Sequence, residues 1–159
     1  MKLQTKDLLV RDFRIGDLSA LHEIYSDPEV MEYLGGPLGD AGETKDEMEY
    51  SCLGEGRVRF AVLETAGGRF VGETTFIIHR EPDMENECEI GWTLAKKYWN
   101  RGYAQQLTAA FIEKARSLGA KAVFLCCEEE QEVPKHIAEK FGMDYYGLEW
   151  GQDMYRKEL

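Results

Sequence analysis

The cations Lys96, Lys97 and Arg101 fall together with Gly102 in the stretch Lys96-Lys97-Tyr98-Trp99-Asn100-Arg101-Gly102. A run with helical periodicity follows at once. That combination can hold a phosphate. The first N–H groups of a helix point out of its start with partial positive charge, and a glycine lets a ligand come close to the backbone. Read alone, the turn also fits a solvated loop with an ordinary helix start, because glycine-containing strand–helix turns are common.

Two elements must position this turn. Before it, Cys88, Ile90, Trp92 and Leu94 alternate with Glu89, Gly91, Thr93 and Ala95, which predicts a strand over 88–95. Gly91 inside that alternation suggests a bulge or a close approach by another backbone. After it, Tyr103, Leu107, Ala110, Phe111, Ala115 and Leu118 recur at steps of three and four, the face of a long amphipathic helix. Gly119 is placed to stop it, and Lys114 and Arg116 suit its negative end.

The chain has 159 residues, a length that suits one domain, 1–159, with a real core. Its 43% apolar and 31% charged residues are those of a folded, water-facing protein. A net charge of −11 disfavours nucleic acid and anionic membrane as partners and favours a cationic one, although acidity also serves solubility. Cys52, Cys88, Cys126 and Cys127 have no zinc-knuckle or thioredoxin spacing, which fits reduced thiols in a cytoplasmic protein. No cluster of ligand residues calls for a metal. The N-terminal stretch lacks the apolar run of a signal peptide, and Ala122 to Cys127 is too short an apolar run to span a bilayer.

Elsewhere, a first strand is expected over 8–13. Asp17 is expected to cap a helix with Leu18, Leu21, Ile24 and Tyr25 on one face, ended at Ser26-Asp27-Pro28. A further helical turn is expected at 29–34 and a short helix within 40–52. Strands over 60–64 and 70–79 are joined by a hairpin at Ala66-Gly67-Gly68, and Glu81-Pro82-Asp83 begins another reversal. Ala122 to Cys127 reads as a strand covered on both faces. Glu128 to Glu132 is an acidic loop, Pro134 a first-turn proline, Gly142 a helix stop, and strands are expected over 143–150 and 153–159. The order describes a mixed α/β domain around a central sheet.

Several of these segments resemble the GNAT acetyltransferase superfamily, and within it the RimJ/RimL-like branch that acetylates protein N-termini and related small amines. Leu9-Val10-Arg11-Asp12-Phe13 and Ile24-Tyr25-Ser26-Asp27-Pro28-Glu29-Val30-Met31 are similar to that branch's N-terminus. Glu89-Ile90-Gly91-Trp92-Thr93-Leu94, followed by Tyr98-Trp99-Asn100-Arg101-Gly102-Tyr103-Ala104, is similar to its acetyl-CoA motif, with Trp99 where the wider superfamily has Gln or Arg. The resemblance implies a mostly antiparallel mixed sheet flanked by helices, with a bulged strand splayed at the cofactor site. It implies acetyl-CoA as donor. The diphosphate would lie on Asn100, Arg101, Gly102, Tyr103 and Ala104, and the pantetheine arm along Thr93 and Leu94. The thioester carbonyl would lie near the backbone of Trp92 or Thr93, where an N–H can stabilise an oxyanion. Downstream, Gln131 stands where the family has an Asn and Pro134 where it has a Ser. Gln131 can still donate to pantetheine; Pro134 cannot donate at all.

The implied chemistry is direct attack of an amine on the thioester, with a carboxylate removing the proton through water. Glu89 is the first choice, matching the acid of the branch's Glu-Ile-Gly motif, and Glu73 on the neighbouring strand is the second. His22, His79 and His136 read as surface or structural residues. The region 25–52, with Glu29, Glu32 and Tyr33, is expected to form much of the acceptor pocket, and exposed strand edges permit a homodimer. Two other readings compete: a catalytically weak acyl-CoA-binding or sensing domain, motivated by Gln131 and Pro134, and a Rossmann-type module, opposed by the missing G-x-G-x-x-G.

Overall fold

Leu8 and Val10 are fully buried while Leu9 and Arg11 are half-buried, the alternation of a strand covered on one face. The structure is a computed structural model and describes residues 1–54 and 56–159. Its strands are β1 (Lys2–Gln4), β2 (Leu8–Arg11), β3 (Arg59–Glu64), β4 (Phe70–Ile78), β5 (Glu87–Leu94), β6 (Ala122–Cys127), β7 (Asp144–Glu149) and β8 (Gln152–Glu158). The helices are α1 (Leu18–Tyr25), α2 (Ala41–Met48), α3 (Tyr103–Ser117) and α4 (Glu132–Lys140). The strands form one mixed, mostly antiparallel sheet of eight, in the order β1-β2-β3-β4-β5-β6-β8-β7. Contacts along the chain divide it into two units, residues 1–75 with 92–106, and residues 76–91 with 107–159.

In the first unit β1, β2, β3 and β4 pair antiparallel in sequence order. The turn between β3 and β4 is made by Gly67 and Gly68, both at positive φ (85° and 64°). α1 and α2 pack on each other, and Leu21, Ile24, Tyr25, Met48 and Cys52 form a core with Ala61 and Leu63 of β3. α2 begins as its sequence dictates: Asp40 accepts from the N–H groups of Gly42 and Glu43, and Glu43 reaches back to the Asp40 N–H. It runs on into a π-helical turn, Glu49–Leu53.

Three expectations need correcting here. Asp17 caps nothing in α1. A 3-10 turn, Ile15–Asp17, leads directly into that helix, and the Asp17 carboxylate instead takes both Arg11 guanidinium nitrogens (2.7 and 2.8 Å) and the Arg14 N–H. Residues 29–34 form turns rather than helix, ended by Gly35 and Gly36 at φ 90°. β1 was not expected at all: three residues are too few for their alternation to stand out, and the pairing to β2 makes them a strand.

In the second unit β6 lies parallel to β5 and antiparallel to β8, which explains why it can be apolar without alternation: Ala122, Val123, Phe124, Leu125 and Cys127 are all buried. The reversal after β4 closes when the His79 N–H donates to the Glu87 carbonyl and the Asn86 N–H donates to the His79 carbonyl. α4 ends at Gly142, φ 70°. β7 and β8 join through Trp150 and Gly151, both at positive φ. Leu107, Phe111 and Ala115 of α3 are fully buried, one residue per turn, as the periodicity requires.

Candidate active site

The turn between β5 and α3 has the shape its sequence suggested. A short 3-10 turn, Lys96–Tyr98, leaves the strand, then Asn100 (φ 58°) and Gly102 (φ 74°) adopt left-handed backbone. Gln106 makes the helical bond back to the Gly102 carbonyl (3.1 Å). A side chain added at Gly102 would meet nothing within 4 Å, so the head of this 15-residue helix opens onto free space. The residues fit a diphosphate, which needs a concave run of amides and room in front of it.

The nearby charges are arranged around Tyr98. Lys97 Nζ lies 5.5 Å and the Arg101 guanidinium 5.3 Å from its ring centroid, and Tyr103 stacks against it at 6.1 Å. Lys96 turns away to pair with Glu29, so of the three expected cations two remain beside the helix start. Behind them Glu64, the last residue of β3, accepts from the Tyr103 hydroxyl (2.7 Å) and from Arg69 Nε (2.6 Å), with Arg101 4.0 Å away. The Tyr103 hydrogen bond, then Arg69, hold the Glu64 carboxyl below the usual carboxylate range.

The strand end is fixed from both sides. The Thr93 carbonyl lies toward Gly72: a Cβ there would stand 2.2 Å from it and 2.9 Å from Leu94 Cα, so only glycine fits. The Leu94 carbonyl faces the other way and accepts from the Trp99 indole (2.8 Å). Main-chain groups alternate sides along a strand, so those of Trp92 share the Leu94 side, away from β4.

Glu73 departs furthest from what its sequence neighbours imply. It is 4% exposed. Its carboxylate faces the hydroxyls of Tyr25 and Thr93, and Arg59 Nη1 lies 3.8 Å from Oε1. Arg59 in turn donates to Glu47 (2.8 Å) and to the Tyr25 hydroxyl (3.0 Å). Among the described residues, Glu73 Oε2 has no hydrogen-bond partner. Burial pushes the Glu73 carboxyl above the usual range, with Arg59 and then the Tyr25 and Thr93 hydroxyls pulling the other way.

In the second unit, Glu89 Oε2 meets His79 Nε2 at 3.0 Å, and the other ring nitrogen of His79 meets Glu81 at 3.2 Å. The His79 ring packs against Phe124 (5.5 Å) and Trp150 (6.4 Å), which also touch each other (6.3 Å). His79 is therefore the partner of a candidate site residue, which sequence reasoning missed; pairing His79 with Glu87 across the reversal would have brought it beside Glu89. Gln131 accepts the Glu128 N–H with its side-chain oxygen (2.9 Å), pinning the loop before α4. Glu29 and Glu32 are exposed and Tyr33 is half-buried. The cysteines are free, and burial lifts the Cys52 and Cys127 thiols to about 11 and those of Cys88 and Cys126 to about 12, which leaves little thiolate for nucleophilic chemistry. Among the described residues there is no group of three or more His, Cys, Asp and Glu that could hold a metal, and no helix is long and apolar enough to cross a membrane.

A mixed, mostly antiparallel sheet in which β5 turns through left-handed residues into α3 is the fold of the GNAT acyltransferases. Residues 7–144 match the family described as "Acetyltransferase (GNAT) domain", and the chain belongs to that family. It is 26% identical over 149 residues to the uncharacterized N-acetyltransferase YnaD of Bacillus subtilis (strain 168), covering 93% of this chain and 85% of the relative. The crystal structure of a GNAT-family acetyltransferase from Bacillus anthracis superposes with a TM-score of 0.84 at 25% identity, over 100% of this chain and 98% of that one. RimL, a ribosomal α-N-protein acetyltransferase in complex with coenzyme A, shares the fold with a TM-score of 0.82 at 16% identity, again over 100% and 98%.

Proposed function

We propose that the protein transfers an acetyl group from acetyl-CoA directly to a primary amine, either a peptide N-terminus or a small, cationic amine. The observation that carries this reading is the left-handed pair Asn100 and Gly102 at the head of α3, flanked by Lys97 and Arg101. In it the segment Asn100, Arg101, Gly102, Tyr103 and Ala104 cradles the diphosphate. Pantetheine follows the outward edge of Trp92, Thr93 and Leu94. The Thr93 main chain is turned toward Gly72, so the Trp92 N–H is the better donor to the thioester oxygen. Glu89 accepts a proton through water, steadied by His79, and Gln131 shapes the loop before α4. Coenzyme A bound to RimL, a fold neighbour, supports acyl-CoA use.

The test is calorimetry with acetyl-CoA followed by thiol release over a panel of peptides and small amines. Binding with turnover is the expected result; no acetyl-CoA binding would sink the reading. A second reading, an acyl-CoA-binding domain with little turnover, is favoured by one observation: the Gln131 oxygen is spent on Glu128 and Pro134 has no N–H to give. Binding without turnover of any amine selects it.

A further inference from the structure

We propose that Glu73 meets the acceptor nitrogen itself, accepting its first proton on Oε2 beside Thr93. This rests on the acetyl-transfer reading above and adds to it the group that receives the amine.

The geometry is unusual for a structural carboxylate. Burial without a hydrogen bond costs a polar oxygen free energy, and buried side-chain oxygens are almost always satisfied. Glu73 Oε2 is the one buried side-chain N or O atom without a partner among the described residues. A ligand N–H supplies what it lacks. The surroundings suit an amine: Tyr25 from α1, Glu47 from α2, Cys52 from the π-helical turn, Arg59 from β3 and Thr93 from β5 all face the carboxyl. Arg59 is already shared with Glu47 at 2.8 Å, so it is a partial partner for Glu73 at 3.8 Å rather than a clamp on it. Thr93 belongs to the strand end that the acyl group is proposed to follow, and Gly72, the neighbour of Glu73, sets the approach of those two backbones.

The step balances as follows. An acceptor arriving as an ammonium ion gives one N–H proton to Glu73 Oε2, and its nitrogen keeps the electron pair. That pair forms the C–N bond to the acetyl carbon. The C–S bond breaks with its electrons on sulfur, and the Glu73 proton passes to the thiolate. The second N–H proton leaves to water. A dry carboxyl with heightened proton affinity is suited to the first transfer.

The test compares the full-length wild-type chain with Glu73→Gln, using propylamine, charged at about pH 7.5, and trifluoroethylamine, neutral there. We expect Glu73→Gln to lower kcat/KM for propylamine about 100-fold and for trifluoroethylamine less than about tenfold, and to abolish the acidic limb of the pH profile. Acetyl-CoA affinity by calorimetry and the melting temperature should be unimpaired. An active wild type with Glu73→Gln equally active on both amines overturns the inference and leaves the acetyl-transfer reading standing. Equal losses on both amines with an unchanged pH profile, or a loss of acetyl-CoA binding or of folding, also overturn it, making Glu73 structural. A wild type that binds acetyl-CoA but acetylates no amine overturns the reading beneath it instead.

Discussion

The hydroxyl of Tyr103 donates to Glu64 Oε1 across 2.7 Å, tying the first residue of α3 to the last residue of β3. An acidic group this close to a proposed phosphate site would repel the ligand if it stood alone. Arg69 at 2.6 Å and Arg101 at 4.0 Å offset its charge, and Glu64 in return fixes the ring that opens the helix.

Tyr103→Phe removes that donor, and the KM for acetyl-CoA is expected to rise about fivefold with little change in kcat. The pH response checks the same contact. Glu64 has a depressed pKa, so its contribution to stability is present above the ordinary carboxylate range and is lost as pH falls through the depressed value. Glu64→Gln should therefore melt lower than wild type near neutrality, with the gap closing in acid. A gap independent of pH contradicts this account.

Gly102→Ala tests the cradle. The new methyl meets nothing, so the penalty is conformational, about 1 kcal/mol for forcing φ 74° on a residue with a Cβ. The expected outcome is a small drop in melting temperature and about a tenfold weaker acetyl-CoA affinity by calorimetry. A drop in stability with affinity unchanged would place the diphosphate elsewhere.

Gly72→Ala tests the strand approach. Its Cβ would sit 2.2 Å from the Thr93 carbonyl, a backbone atom that cannot swing aside. Strand displacement should cost about 2 kcal/mol of stability. It should also lower kcat at least tenfold, since a shift of about 1 Å in a positioning strand is enough for that. Denaturant melts and steady-state rates on one preparation check both.

Burial of Glu73 has its own signature in pH. Its raised pKa means that folding favours the protonated form, so its contribution is fully present in acid and is lost as pH rises through the raised value. Glu73→Gln has no proton to lose. Its melting temperature should gain on wild type as pH rises above the ordinary carboxylate range. A parallel pair of curves would mean that Glu73 is ionised in the folded protein at no net penalty.

Local signals carried much of this molecule. The alternation of β5, the period of α3 and the glycine–cation turn between them are properties of neighbouring residues, and the structure keeps all three. What was hidden is non-local. Glu73 sits in Phe-Val-Gly-Glu-Thr-Thr-Phe, where three polar residues in a row read as solvent-facing; it is buried where Tyr25 of α1 and Glu47 of α2 come in beside it with Arg59. Asp17 had the right type and place for a helix cap but was claimed by Arg11, six residues back. Lys96 was counted among the phosphate cations until Glu29, 67 residues away, took it.

The indole of Trp99, 41% exposed, is held to the Leu94 carbonyl where the proposed donor would pass. The chain thus carries an intrinsic fluorophore at the mouth of its own cradle. A ligand laid along that strand changes the polarity around one of only three indoles, so occupancy can be followed by emission alone, without a dye or a coupled assay.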